Sequence, residues 1–324
     1  MKLHDLYADL MKVYPFGLGL YKPPSTLALR PGSVGYFNEL GVWQPIVQLE
    51  NAEDVKGKGL KIPEEELAKH EFDPETDWAP MYSTEVIEAD IASKIKAGAS
   101  TGTVSLEGKL FLEFHSSSNS GAVMMTAKPV SHRAYYYESP FSRWVADNLD
   151  ALTTGPRREE IKKYGLSIIT DTYSSKKCIL NAWQGQKKTV SIGLSVNPKG
   201  VIDMGLEGGW HIETAAGGWK EYTGKTPEEE VVVFCSGLHF SIRRILGFNL
   251  VSMDSLQSRA GAETDTELAA SVIASKIEKN VAFEVMTESI GLGPVKPKTQ
   301  PANDDDDDDD DDGNHDDNEE NGED

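Results

Sequence analysis

Val190-Ser191-Ile192-Gly193-Leu194-Ser195-Val196-Asn197 puts an apolar residue at every second position and a small or polar one between. Side chains alternate across a β-strand, so this octet reads as a strand with one oily and one wet face. Asn197-Pro198-Lys199-Gly200 follows with the residues of a hairpin turn. The return segment places Ile202, Met204, Leu206, Trp210 and Ile212 on one face, and Asp203, Gly205, Glu207, Gly209, His211 and Glu213 on the other. A helix would need a longer period than this alternation. The reading is an amphipathic antiparallel hairpin.

A second alternating pair lies upstream. Ile87, Ala89, Ile91, Ile95 and Ala97 oppose Glu88, Asp90, Lys94 and Lys96, and the linker Gly98-Ala99-Ser100-Thr101-Gly102 follows. Leu106, Gly108, Leu110, Leu112 and Phe114 then oppose Glu107, Lys109, Glu113 and His115. Ile87, Ile91 and Ile95 also stand four residues apart, so the first arm reads equally as a helix stripe. The plain reading of both hairpins is half-buried sheet with a solvated face. The other reading is that both become transmembrane, since alternating strands of ~9–11 residues span a bilayer. Unpaired strand edges are forbidden in hydrocarbon, so insertion requires a closed ring of copies. Ser191, Gly193, Ser195, Asp203, Glu207 and Glu213 would then line an acidic, cation-preferring lumen.

Elsewhere the pattern is mixed α+β. Leu3, Leu6, Leu10 and Met11 mark a short N-terminal helix over 3–12. Val34–Phe37 and Gly41–Val47 read as two strands around a turn, and the charged stretch 51–80 as a surface loop. Phe141, Trp144, Val145, Leu149 and Leu152 predict a helix over 141–152, and a short charged helix follows Pro156. Strands are expected at 165–173, 231–235 and 238–242, a helix at Thr266–Lys279 on the spacing of Leu268, Val272, Ile273 and Ile277, and a last element at Val281–Met286. The organisation expected is a main domain over 1–254, a short regulatory helix and strand with linker over 255–300, and a tail over 301–324.

That tail is acidic: residues 304–324 hold 15 carboxylates and no Lys or Arg, leaving about −6 on the rest of a chain whose net charge is −21. Such a run reads as disordered and solvated. Nine consecutive aspartates, Asp304–Asp312, lack the spacing and turn glycine of a calcium loop. A basic nucleic-acid footprint is absent. The N-terminus has no apolar run after Lys2, so a cytoplasmic protein is expected. Two distant cysteines, Cys178 and Cys235, read as reduced and packed.

Tyr164-Gly165-Leu166-Ser167-Ile168-Ile169-Thr170-Asp171-Thr172-Tyr173, followed by Lys176-Lys177, resembles a strand of the gasdermin family and its basic follow-on. Ser236-Gly237-Leu238-His239-Phe240-Ser241-Ile242 is similar to the strand that closes that family's domain. The order also matches: N-terminal helix, alternating pair, helical insert, that strand, second alternating hairpin. The resemblance covers about residues 1–250 and is nearest the compact fungal members. It implies a twisted, mostly antiparallel sheet with flanking helices. It also implies binding to anionic membrane lipids, homo-oligomeric rings, insertion of two hairpins per subunit at the plasma membrane, and regulated cell death. The inserting residues would be Ile87, Ile91, Ile95, Leu106, Leu110, Leu112 and Phe114 in the first hairpin. Those of the second would be Val190, Ile192, Leu194, Val196, Ile202, Met204, Leu206 and Trp210. Candidate head-group contacts are Lys2, Lys12, Arg157, Arg158, Lys162, Lys163, Lys187 and Lys188. Departures from the family pattern are Asp5 and Asp9 in the first helix and the lack of a large C-terminal inhibitory domain. Restraint would fall to the segment after 254, released by a protease at a site such as Arg259 or by a partner protein.

Enzyme signatures are missing: His211-Ile212-Glu213 has no Cys-x-x-Cys to complete a zinc deaminase, and no nucleophile elbow or phosphate loop occurs. No cofactor is expected. The competing class is a non-catalytic, β-rich lipid- or carbohydrate-binding module whose Trp183, Trp210, Trp219 and Tyr222 line one face.

Overall fold

Three β-sheets and five short helices make up the residues that the computed structural model describes, which are 1–70, 75–88, 109–195, 210–211, 218–246, 271–278 and 281–290. The class is α+β, and every strand pairing among these residues is antiparallel. Helices are α1 (Leu3–Leu10), α2 (Ala52–Gly57), α3 (Ser139–Asp147), α4 (Leu149–Thr154) and α5 (Arg158–Tyr164). Strands begin with β1 (Leu18–Gly19), β2 (Ser33–Phe37), β3 (Trp43–Gln48), β4 (Glu75–Thr76), β5 (Met81–Tyr82) and β6 (Val86–Glu88). They continue as β7 (Lys109–Ser116), β8 (Ser120–Thr126), β9 (Val130–Ala134), β10 (Leu166–Ser175), β11 (Lys177–Gln184) and β12 (Thr189–Ser195). The last are β13 (Trp210–His211), β14 (Lys220–Thr223), β15 (Val231–Leu246), β16 (Ser271–Glu278) and β17 (Val281–Ile290).

The central sheet runs β16-β17-β15-β10-β2-β3, with β1 and β9 alongside β15 and β10. Helices α3, α4 and α5 cover part of it through Phe141, Trp144, Val145, Leu149, Leu152 and Ile161, which pack on Val34, Leu166, Ile168, Leu238 and Phe240. A middle sheet, β14-β11-β8-β5, lies against Val231, Val233 and Phe234 of the central sheet. Its even-numbered residues Ala122, Met124, Cys178, Leu180 and Ala182 make that contact together with Tyr7 and Met11. Its odd-numbered Val123, Met125, Ile179 and Trp183 face the third sheet, β13-β12-β7-β6. The middle sheet is thus buried on both faces.

Differences from the sequence expectation have local causes. The helix expected at Thr266–Lys279 is instead strand β16 over 271–278, while 266–270 fall outside the described residues. Val272, Ile273 and Ile277 are β-branched and favour strand, and β17 satisfies the backbone. A register shift between Val272 and Ala274 breaks the strand's alternation, which left a helix-like spacing. The last element runs to Ile290, four residues beyond the expected end. The helix over 141–152 is two helices, divided at the buried Asn148. The Asn148 amide nitrogen donates to the Trp144 carbonyl (2.9 Å) and its oxygen accepts from the Lys61 amide (2.6 Å), tying the break to the 58–65 loop. Asn148→Ala orphans the Lys61 amide, while the Trp144 carbonyl keeps the backbone N–H of residue 148, and should cost about 2 kcal/mol, seen as a drop of several degrees in melting temperature.

The tail and the Arg259 region lie outside the described residues.

Candidate functional site

The third sheet is built from the two alternating segments, and it makes them neighbours. Strand β12 pairs with β7 along its length: Val190 stands opposite Phe114, Ile192 opposite Leu112, and Leu194 opposite Leu110. Directly opposed residues share a face. Phe114, Val190 and Ile192 are fully buried and Leu112 nearly so. Ser191, Thr189 and His115 on the other face are exposed, and Glu113 is half-buried. Leu194 is also opposite Trp210 of β13, so the apolar register passes from one hairpin arm to the next. The Trp219 indole N–H donates to the Ser191 carbonyl (2.8 Å) and meets Phe114 edge-on, closing one side of this layer.

Ile87 departs from its expected place. It pairs with His115, not with an apolar neighbour, and is 64% exposed. Val86 takes the buried position in its stead. In the described part of this arm, Val86–Glu88, the faces are turned over by one residue, because its register with β7 pairs odd with odd numbers. Ile91, Ile95, Leu106, Val196, Ile202, Met204 and Leu206 lie outside the described residues.

What covers the oily face is the middle sheet's Val123, Met125, Ile179 and Trp183. Sequence reading missed this cover, since β8 and β11 carry runs such as Ala122-Val123-Met124-Met125 rather than alternation. Trp183 lies over Gly121, where a Cβ would sit 2.2 Å from its ring. Its buried indole N–H has no hydrogen-bond partner among the described residues, so it is held by apolar contact alone.

The basic candidates are scattered and mostly neutralised. Lys12 pairs with Asp9 (3.2 Å), Arg157 with Glu160 (3.9 Å) and Arg158 with Glu159 (3.2 Å). Lys187 and Lys162 are exposed with no carboxylate partner among the described residues, and Lys188 is half-buried beside β12. Lys2 and Lys163 converge on one place, the β2–β3 turn. Lys2 donates to the Glu39 carbonyl (2.5 Å), Lys163 lies 3.8 Å from the Glu39 carboxylate, and Lys22, unremarked in the sequence, donates to the Leu40 carbonyl (2.9 Å). Leu40 at the tip is 54% exposed. Gly41 allows the left-handed turn (φ +66°) and lets the His4 ring pack where a Cβ would be. The Tyr164 hydroxyl donates to Glu39, and with Lys163 and Lys2 nearby it holds that carboxyl below its ordinary range. The turn thus joins an exposed leucine, three ammonium groups and the Glu39 carboxylate.

Of the aromatics expected to line one face of a binding module, Trp183 and Trp219 pack into one cluster and Tyr222 into another. Trp183 and Tyr222 belong to opposite sides of the middle sheet, Trp183 is buried, and the Tyr222 hydroxyl donates to the Tyr21 carbonyl (3.1 Å). Cys178 and Cys235 are both free and fully buried, and burial pushes both thiols well up from their ordinary range. Neither should react with iodoacetamide in the folded protein within an hour at neutral pH, while both should label in denaturant, counted by mass spectrometry. No described helix is long and apolar enough to cross a membrane, which says nothing about crossing by strands. A scan against profiles of known protein families finds no match, and no curated protein matches the sequence.

Proposed function

We propose that this chain is a gasdermin-like pore former, which perforates anionic membranes by oligomerising and inserting the two amphipathic hairpins of each subunit. One observation carries the reading: the two alternating segments are adjacent strands of one sheet with a shared apolar face, covered by a second sheet. An ordinary solvated sheet needs only one buried face. In the sequence, alternation runs on from β7 and β12 into 106–108 and 196–209, outside the described residues, and with those residues each strand reaches the length that a membrane strand requires. In this account the middle sheet stores the lipid-facing side chains until a membrane replaces it.

The Leu40 turn fits first contact with an anionic surface, with the leucine entering the head-group layer and Lys2, Lys22 and Lys163, the last exchanging Glu39 for a phosphate, meeting the head groups. The protein would wait in the cytoplasm and act at the plasma membrane, ending in cell death. The segment after 254 would restrain it, and the acidic tail would oppose approach to a surface of its own sign.

Single cysteines at Thr189, Val190, Ser191 and Ile192, each carrying an environment-sensitive fluorophore, test this. On anionic vesicles, nitroxide-labelled lipids should quench Val190 and Ile192 and spare Thr189 and Ser191. Equal, weak quenching at all four positions would rule out insertion of this strand.

A further inference from the structure

The segment 271–290 is not an appendage but part of the central sheet. Strand β17 pairs with β15 through ten consecutive residues, from Gly237 opposite Ile290 to Leu246 opposite Val281, with no break in register. By contrast β10, on the other side of β15, is interrupted twice. Residues 247–270, which join β15 to β16, would reach roughly 80 Å if extended, so their length does not force the β16–β17 pair into place. Side chains anchor one end of the ladder: Ile290 packs against the cluster of Leu20, Trp43, Ile169 and Cys235, and Thr287 is buried opposite Phe240. The Thr287 hydroxyl has no hydrogen-bond partner among the described residues, which weakens the fit.

We propose that Gly237–Leu246 is a strand-acceptor site for the sequence Val281–Ile290, filled here by the chain's own segment and open to the same segment of a second copy. Main-chain pairing supplies the affinity, and the positions of Thr287 and Ile290 supply the selectivity. A cut in 247–270, at Arg259 for example, then leaves the C-terminal fragment docked. Cutting and release become separate steps, and release bares a ten-residue edge that a neighbouring copy can pair with. Its meaning as a brake rests on the pore reading; the binding itself does not.

The test uses the full chain with a site-specific protease sequence in place of residues 255–262, without any membrane. After cutting, the fragment should co-elute with the body on size exclusion, also at high salt. A labelled synthetic peptide of residues 271–290 should replace it slowly. Thr287→Val, which removes the orphaned hydroxyl, should slow departure about tenfold, and Ile290→Asp should speed it by at least about tenfold. Amide exchange on β10 and β2 should be unchanged in both variants, which shows that the body is folded. The proposal is overturned if the fragment separates at once, if high salt frees it (attachment by the acidic tail), or if both variants depart at the parent rate.

Discussion

Trp183→Ala should release dye from anionic vesicles about tenfold faster than the parent chain, while lowering the melting temperature. Trp183 is on the middle sheet, so it belongs to the cover and not to the strands that would insert. Truncating a buried tryptophan costs about 3–5 kcal/mol, and no hydrogen bond is lost with it because its indole N–H has no partner among the described residues. That loss falls on the contact between two sheets, so opening of the third sheet becomes easier while most of the fold survives a total stability of about 5–15 kcal/mol. Gly121→Ala should act in the same direction through overpacking, since its new Cβ would meet the Trp183 ring at 2.2 Å. If both variants melt earlier yet leak no faster, the middle sheet is not a store for the hairpins.

Ile192→Asp should abolish release, although it weakens the same contact. Ile192 is 1% exposed, opposite Leu112 and facing the middle sheet. A carboxylate there costs several kcal/mol in the folded protein and carries a further penalty per subunit on a lipid-facing strand, below the about 2–4 kcal/mol of a midplane Lys or Arg but repeated around a ring. Ser191→Asp, one residue away on the exposed face, should leave release within about twofold of the parent. The opposite outcomes of Trp183→Ala and Ile192→Asp separate storage from insertion, because general destabilisation moves both the same way.

The parts of this fold legible in the sequence are those with one wet face. Strands β7 and β12 show their alternation plainly, and the burial of Phe114, Val190 and Ile192 against exposed Ser191 and His115 follows it. Which strands pair was not legible. Adjacency of β7 and β12 is a tertiary choice, and the odd-with-odd register of β6 that turns Ile87 outward is set by pairing rather than by pattern. Strands β8 and β11 escaped because both of their faces are buried, which erases period two. Strand β16 passed for a helix because a register shift disturbs its alternation. Among the basic residues, identity was legible but neutralisation was not: Lys12, Arg157 and Arg158 find carboxylates within their own helical neighbourhood. The Leu40 tip was missed, although Asn38-Glu39-Leu40-Gly41 carries a signal in its leucine at the point of a glycine turn.

The central claim is perforation of anionic membranes, and its most direct test is dye release from vesicles with and without phosphatidylserine, comparing the intact chain with the chain cut within 247–270 and stripped of its C-terminal fragment. The account predicts release from the anionic vesicles alone, faster for the stripped protein, and abolished by Ile192→Asp. Intact vesicles of both compositions after exposure to the stripped, folded protein would contradict it.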